Sequence, residues 1–151
     1  MEGRHDETPR LTEIGRDLWI ADGPAVPFLG VPYPTRMTLA RLTDGRLWIC
    51  SPIALDDALA KEIDALGRVA YLVSPNKIHH LFLDAWRERW PGADLYASPG
   101  LAKRRSDLAF EAELGDRPPP EWADEIDQVV VRGSLAMEEV LFFHRASRTA
   151  I

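Results

Sequence analysis

The chain has a single cysteine, Cys50, among its 151 residues. That excludes an internal disulfide and a cysteine-based zinc cage. No uninterrupted apolar run approaches the ~20 residues a membrane-spanning helix needs. The start, Met1 to Glu7, also lacks the apolar stretch of a secretory signal. Together these absences point to a reducing, cytoplasmic compartment and to no membrane partner. Positive charge is in the minority: 18 Lys and Arg stand against 24 Asp and Glu, leaving a net charge of −6. Such a balance repels a phosphate backbone and argues against nucleic acid. Gly92, Gly100, Gly115 and Gly133 are isolated, so no glycine-rich phosphate loop is present. The Gly-x-Ser-x-Gly elbow of serine hydrolases is also missing. What remains, 46% hydrophobic and 28% charged residues, fits one globular domain.

Residues 1–11 read as a flexible terminus, and the domain spans 12–151. Structure begins near Asp17 to Ala21 and meets a turn signal at Asp22-Gly23-Pro24. The proline-rich stretch Phe28 to Pro34 reads as a loop. Asp44-Gly45, between apolar runs, predicts a hairpin of strands 35–43 and 46–51. Acids at Asp56 and Asp57, apolar positions at helical spacing and the stop at Gly67 predict a capped helix. Val69 to Val73 is a continuous apolar run of the kind found mid-sheet. A helix is expected from about Lys77 to Trp90, a strand at 94–97, and a helix capped by Ser98 with Pro99 at its first position. Pro118-Pro119-Pro120 favours an extended connection over 111–123. Strands follow at 126–132, 140–144 and 148–151, and the chain ends inside an apolar run. This alternation predicts an α/β fold with a mixed sheet.

Chemistry concentrates on the turn Ser74-Pro75-Asn76-Lys77-Ile78-His79-His80-Leu81-Phe82. Strand-to-helix loops at the carboxyl ends of strands are where ligands collect in α/β sheets. His79 and His80 fall in the expected first helical turn, where the positive dipole end favours neutral, metal-competent imidazole. The stripe Ile78, Leu81, Phe82, Ala85 and Trp86 is expected to face the core. Adjacent helical side chains diverge by about 100°, so two neighbouring histidines also read as ordinary helix-start residues. His144 ends a strand and points either into the same crevice or into the core. Ser147, His144 and an acid such as Asp84 have the composition of a hydrolytic triad, without a motif to support it. Lys103-Arg104-Arg105 reads as a solvated helix face, and Cys50 as a small buried hydrophobe.

The segments Ser74 to Phe82, Ser98-Pro99-Gly100-Leu101, Glu139 to Arg145 and Ser147-Arg148-Thr149 resemble an uncharacterised bacterial and plant family of the metallo-β-lactamase-like superfamily. The resemblance spans most of 12–151 and implies an αββα sandwich, here incomplete and represented by its N-terminal part. Hydrolases of that superfamily carry a His-x-His-x-Asp-His metal turn. Aligned on it, Pro75 and Lys77 replace the first two histidines, His79 replaces the aspartate, and His80 alone matches. A later histidine is expected after a glycine, and here Ser134 follows Gly133. The resemblance therefore implies hydrolase ancestry with the metal ligands largely replaced.

A cation at Lys77 would repel a divalent ion at low effective dielectric and could substitute for its charge. The resulting expectation is a crevice lined by Asn76, Lys77, His79, His80 and His144 that takes a small-molecule ligand. Two alternatives stand beside it. One is an active, divergent hydrolase with a single divalent metal such as zinc on His79, His80 and His144. The other is a non-catalytic binding or assembly module that forms a homo-oligomer.

Overall fold

The computed structural model describes residues 9–77, 79–133 and 138–151. A seven-stranded mixed sheet forms the centre: β1 (Thr12–Gly15), β2 (Leu18–Phe28), β3 (Val31–Arg41), β4 (Arg46–Cys50), β5 (Arg68–Ser74), β6 (Asp94–Ala97) and β7 (Ala112–Glu113), side by side in chain order. The first four strands are antiparallel, and β4 through β7 run parallel. Helices α1 (Asp57–Leu66), α2 (Leu83–Arg89) and α3 (Leu101–Arg104) follow β4, β5 and β6. The chain then forms a second, antiparallel sheet from β8 (Ile126–Val131), β9 (Glu139–His144) and β10 (Thr149–Ala150), in the order β10-β9-β8.

The central sheet is covered on both faces because its middle strands carry apolar side chains in both directions. On β4, Leu47 and Ile49 enter one core with Leu59 and Ile63 of α1 and with Leu83 and Trp86 of α2. Trp48 and Cys50 enter the other, with Trp122, Val130 and Phe142 beneath the second sheet. The layers are thus helices, sheet and sheet, an incomplete αββα sandwich with a mixed main sheet. The second sheet alternates strictly, so Val129, Val131, Leu141 and Phe143 are exposed on its outer face. Among the described residues no helix is long and apolar enough to cross a membrane.

Several local expectations hold. Asp56 caps α1 by accepting the Leu59 amide at 2.8 Å, and the Asp44-Gly45 turn joins β3 to β4. Others change. The expected loop Phe28 to Pro34 is not one: β2 and β3 continue as a hairpin closed by Leu29 (φ 51°) and Gly30 (φ 77°). Pro27 pairs with Pro32, one step from the closing Phe28–Val31 pair. Antiparallel pairs alternate, so both prolines occupy a non-hydrogen-bonded position where no amide is required. The Asp22-Gly23-Pro24 turn signal is absorbed as a register irregularity within β2. Residues 1–8 of the expected loose terminus lie outside the described residues. Arg10 and Leu11 are tied down, their amides donating to the Glu62 carboxylate at 2.7 and 3.0 Å.

The helix expected from Lys77 to Trp90 is shorter, beginning only at Leu83. The stripe shifts with it: Leu83 and Trp86 are buried, whereas Leu81 is 53% exposed and Ala85 is exposed. Ile78 lies outside the described residues. Trp86 closes this layer by donating from Nε1 to the Ile53 carbonyl at 2.7 Å. Ser98 is not the cap of α3; Gly100 holds that position in the left-handed region at φ 83°, and α3 is one turn long. A left-handed residue breaks the helical run that Ser98-Pro99 would have started, and glycine adopts it without a Cβ penalty.

Candidate functional site

A pocket of about 210 Å³ opens at the carboxyl end of β4. The tip of the β2–β3 hairpin forms one wall, where Phe28 and Tyr33 meet edge to face with ring centroids 6.0 Å apart. Opposite stand His79, His80, Leu81 and Phe82 from the turn after β5. Ser51 and Pro52 form the floor, and Arg36 and Arg104 bring positive charge to the rim. Arg36 is already paired, its Nε 2.6 Å from Asp22 Oδ1. The lining is therefore mainly apolar, with a few polar groups pointed inward, the usual make-up of a small-ligand site.

The histidines are placed by the turn, not by a helix. Asn76 Oδ1 accepts the His79 amide at 3.1 Å, an Asx-type turn that Asn favours. His79 Nδ1 lies 2.7 Å from Ser51 Oγ. His80 faces Arg105, whose guanidinium donates to His80 Nδ1 at 3.2 Å and to its carbonyl at 3.1 Å. Arginine only donates, so Nδ1 of His80 is the acceptor and Nε2 carries the proton. Burial lowers the pKa of both imidazoles below the ordinary 6.5; Arg105 and Arg104 lower that of His80 further, while Glu139 partly opposes the shift at His79. Neutral imidazole thus comes from desolvation and neighbouring cations, because no helix N-terminus stands at 79–80.

Arg105 is the organiser of this wall. It bridges Asp84 at 2.9 Å and Asp107 at 2.8 Å, and its side chain is only 15% exposed. The basic run 103–105 is therefore divided: Arg105 turns inward and Arg104 lines the pocket. A solvated helix face accounts only for the rest.

The remaining expected crevice residues do not line this pocket. Asn76 is buried, its Nδ2 donating to Glu139 Oε1 at 3.4 Å. Lys77 lies over the backbone of Gly100. His144 is at the far end of β9 from Glu139, five residues and roughly 17 Å along an extended strand. It is 1% exposed and bonds Ser147 Oγ through Nδ1 at 2.7 Å. The imagined triad is split, since Asp84 belongs to Arg105. Cys50 is buried, its thiol pushed up to about 12 by desolvation, so it stays protonated and unreactive. Sequence reasoning missed Ser51, Arg104 and the hairpin wall. The only local signal for Ser51 was its place where an apolar strand ends before a proline.

The donor set does not fit the metal turn implied by the resemblance. Pro75 offers no side-chain donor and Lys77 is a cation. One ring nitrogen of His79 is engaged by Ser51, and His80 has its lone pair turned to a guanidinium. Among the described residues no three His, Cys, Asp or Glu side chains converge in metal-binding geometry.

Comparison with known proteins agrees on the fold. The chain superposes on DIM-1 metallo-β-lactamase with a TM-score of 0.68 at 11% identity, covering 89% of this chain and 64% of that one. A metallo-β-lactamase from Hirschia baltica gives 0.65 at 14% identity, over 89% and 66%. A diflavin flavoprotein fragment from Nostoc sp. PCC 7120 gives 0.62 at 9%, over 93% and 64%. The chain thus spans somewhat less than two thirds of these structures. No curated protein matches the sequence. A family model described as a domain of unknown function, DUF4336, matches residues 18–151. The chain belongs to the DUF4336 family and carries the metallo-β-lactamase-like fold, incomplete relative to the full sandwich.

Proposed function

We propose that this domain is a degenerate metallo-β-lactamase-like protein that keeps the ligand pocket at the strand ends and binds a small amphipathic anion without a metal. One observation carries the reading: a pocket of about 210 Å³ walled by Phe28, Tyr33 and Phe82, with Arg104 at its edge and two neutral imidazoles inside. Its volume lies below the roughly 300–1,000 Å³ of drug-sized sites, which suits a metabolite-sized ligand. The apolar wall takes the ligand's body by burial from water. Arg104, a cation lining the pocket, takes a carboxylate or a similar anion.

Calorimetry with 4-phenylbutyrate, its alcohol and its amine tests this. The carboxylate binds at least tenfold more tightly than the other two, and Arg104→Gln removes the preference. Equal binding of all three, or preference for the amine, overturns the anion reading. Zinc titration tests the other half: tight, stoichiometric zinc that is lost in His80→Ala would restore a metal-dependent hydrolase.

A second reading, an assembly role, is favoured by the exposed apolar outer face of the small sheet at Val129, Val131, Leu141 and Phe143. Sedimentation equilibrium would show self-association that Phe143→Lys abolishes, and a wild-type monomer at all concentrations would remove this reading.

A further inference from the structure

The polar floor of the pocket holds a pairing that the binding reading leaves unused. Ser51 Oγ and His79 Nδ1 are 2.7 Å apart, and both residues line the cavity. We propose that Ser51 and His79 form a nucleophile–base pair that transfers acyl groups from small esters without a metal. The proposal rests on the pocket reading above and assigns that pocket a reaction.

Three features separate this pair from an ordinary hydroxyl–imidazole contact. First, Ser51 sits in the left-handed region at φ 57°, a conformation that serine rarely adopts. It is held there by its amide, which donates to the Val73 carbonyl at 2.9 Å. A strained backbone at the end of a strand, aiming a hydroxyl into a cavity, is the kind of outlier that suggests function. Second, the backbone that carries the base is fixed. Asn76 Oδ1 holds the His79 amide, and Glu139 in turn holds the Asn76 amide group. Asn76 and Glu139 are positioning residues in this scheme.

Third, the molecule contains its own comparison. His144 Nδ1 and Ser147 Oγ are also 2.7 Å apart, but His144 is 1% exposed and neither residue lines the pocket. Ser147 also donates to Thr149 Oγ1 at 2.9 Å, whereas the second contact of Ser51 Oγ is the longer, weaker one to Cys50 Sγ at 3.9 Å. The same two groups are therefore structural at one end of the small sheet and open to a ligand at the end of β4.

With the His79 proton on Nε2, Ser51 donates its hydroxyl hydrogen to Nδ1. Attack on an ester forms the bond from Ser51 Oγ to the acyl carbon, and the proton passes to Nδ1. The tetrahedral adduct collapses by breaking the bond to the alcohol oxygen, which leaves with that proton. Water then adds to the acyl-serine, giving a proton to His79 as it attacks, and His79 returns it to Ser51 Oγ as the carboxylic acid departs. Arg104 at the rim of the pocket is the cation available to the developing oxyanion and to the product carboxylate.

The test is labelling of the full chain by diisopropyl fluorophosphate at neutral pH, with the adduct located by peptide mass mapping. Ser51 Oγ bonds to phosphorus, fluoride leaves, and the hydroxyl proton goes to His79. One adduct is expected, on Ser51. Labelling should be absent in Ser51→Ala, slowed at least tenfold in His79→Gln, and unchanged in Ser147→Ala. Competition by 4-phenylbutyrate should slow labelling of the unaltered chain, a readout that needs no variant to fold. No adduct on Ser51, or an adduct whose rate ignores His79→Gln in a variant that still binds 4-phenylbutyrate, overturns the pair. If 4-phenylbutyrate binds while Ser51 stays unlabelled, the dyad fails and the pocket stands. If neither occurs, both readings fail.

Discussion

Lys77 lies across the backbone of Gly100, so closely that a Cβ added to the glycine would come 2.6 Å from Lys77 Cε and 3.1 Å from Nζ. Residues from the loops after β5 and β6 are thereby fitted to each other. Gly100 also has φ 83°, so two separate costs attend any side chain there. Gly100→Ala is expected to destabilise the fold by about 1–3 kcal/mol, mostly from the backbone conformation, since the lysine end can swing away. Urea unfolding of Gly100→Ala with and without Lys77→Ala separates the two. The lysine truncation should recover only the smaller part of the loss. Full recovery would mean that contact, not backbone, sets the requirement.

The second sheet is held to the first by aromatic packing around Trp122, whose ring meets Tyr96, Tyr71 and Trp48 edge to face at centroid distances of 4.6, 5.3 and 6.1 Å. Its indole Nε1 also donates to Gln128 Oε1 at 3.3 Å on β8. Trp122→Ala should cost about 3–5 kcal/mol, because the neighbouring rings cannot collapse into the space left. Equilibrium unfolding gives the magnitude, and near-ultraviolet circular dichroism should lose most of its aromatic signal. A loss below ~1 kcal/mol would show that the two sheets hold together without this cluster.

The parts of this fold that were legible in the sequence are those where one physical effect dominates. Val69 to Val73 reads as a central strand because a continuous apolar run bounded by turn signals suits a doubly covered sheet, and 56–67 reads as a capped helix because first-turn acids, helical apolar spacing and a closing glycine agree. The β2–β3 hairpin was hidden by its prolines. Their tolerance depends on which residue lies opposite, a pairing that local composition does not reveal. The start of α2 is obscured for a similar reason: the sequence from Lys77 on carries helical spacing, but the Asn76 side chain and the Arg105 contact hold His79 and His80 in a turn. The site was half visible. His79 and His80 could be placed at the strand end, whereas Ser51 and Arg104 reach the same pocket only through the arrangement of β4 and α3 around it, and His144 lies at the end of β9 remote from Glu139.

The pH dependence of stability follows from His79, His80 and His144, each of which has its pKa lowered from 6.5 chiefly by burial. In the unfolded chain each titrates near the ordinary value, so just below pH 6.5 the unfolded state binds more protons than the folded one. Stability then rises with pH through this window and is lost as pH falls, fully present only above 6.5. Urea midpoints should therefore decline from pH 7.5 to 5.5, before the carboxylates of Asp56 and Asp107, held below their ordinary range by hydrogen bonds, begin to take up protons. His80 gives the sharpest check, because Arg105 is its nearest cation and donates to its Nδ1. Arg105→Ala should raise the His80 pKa seen by NMR titration toward 6.5, and the decline between pH 7.5 and 5.5 should become shallower. A midpoint that is flat across this range, or that rises on acidification, would mean that the three imidazoles are already as easily protonated in the fold as in the open chain.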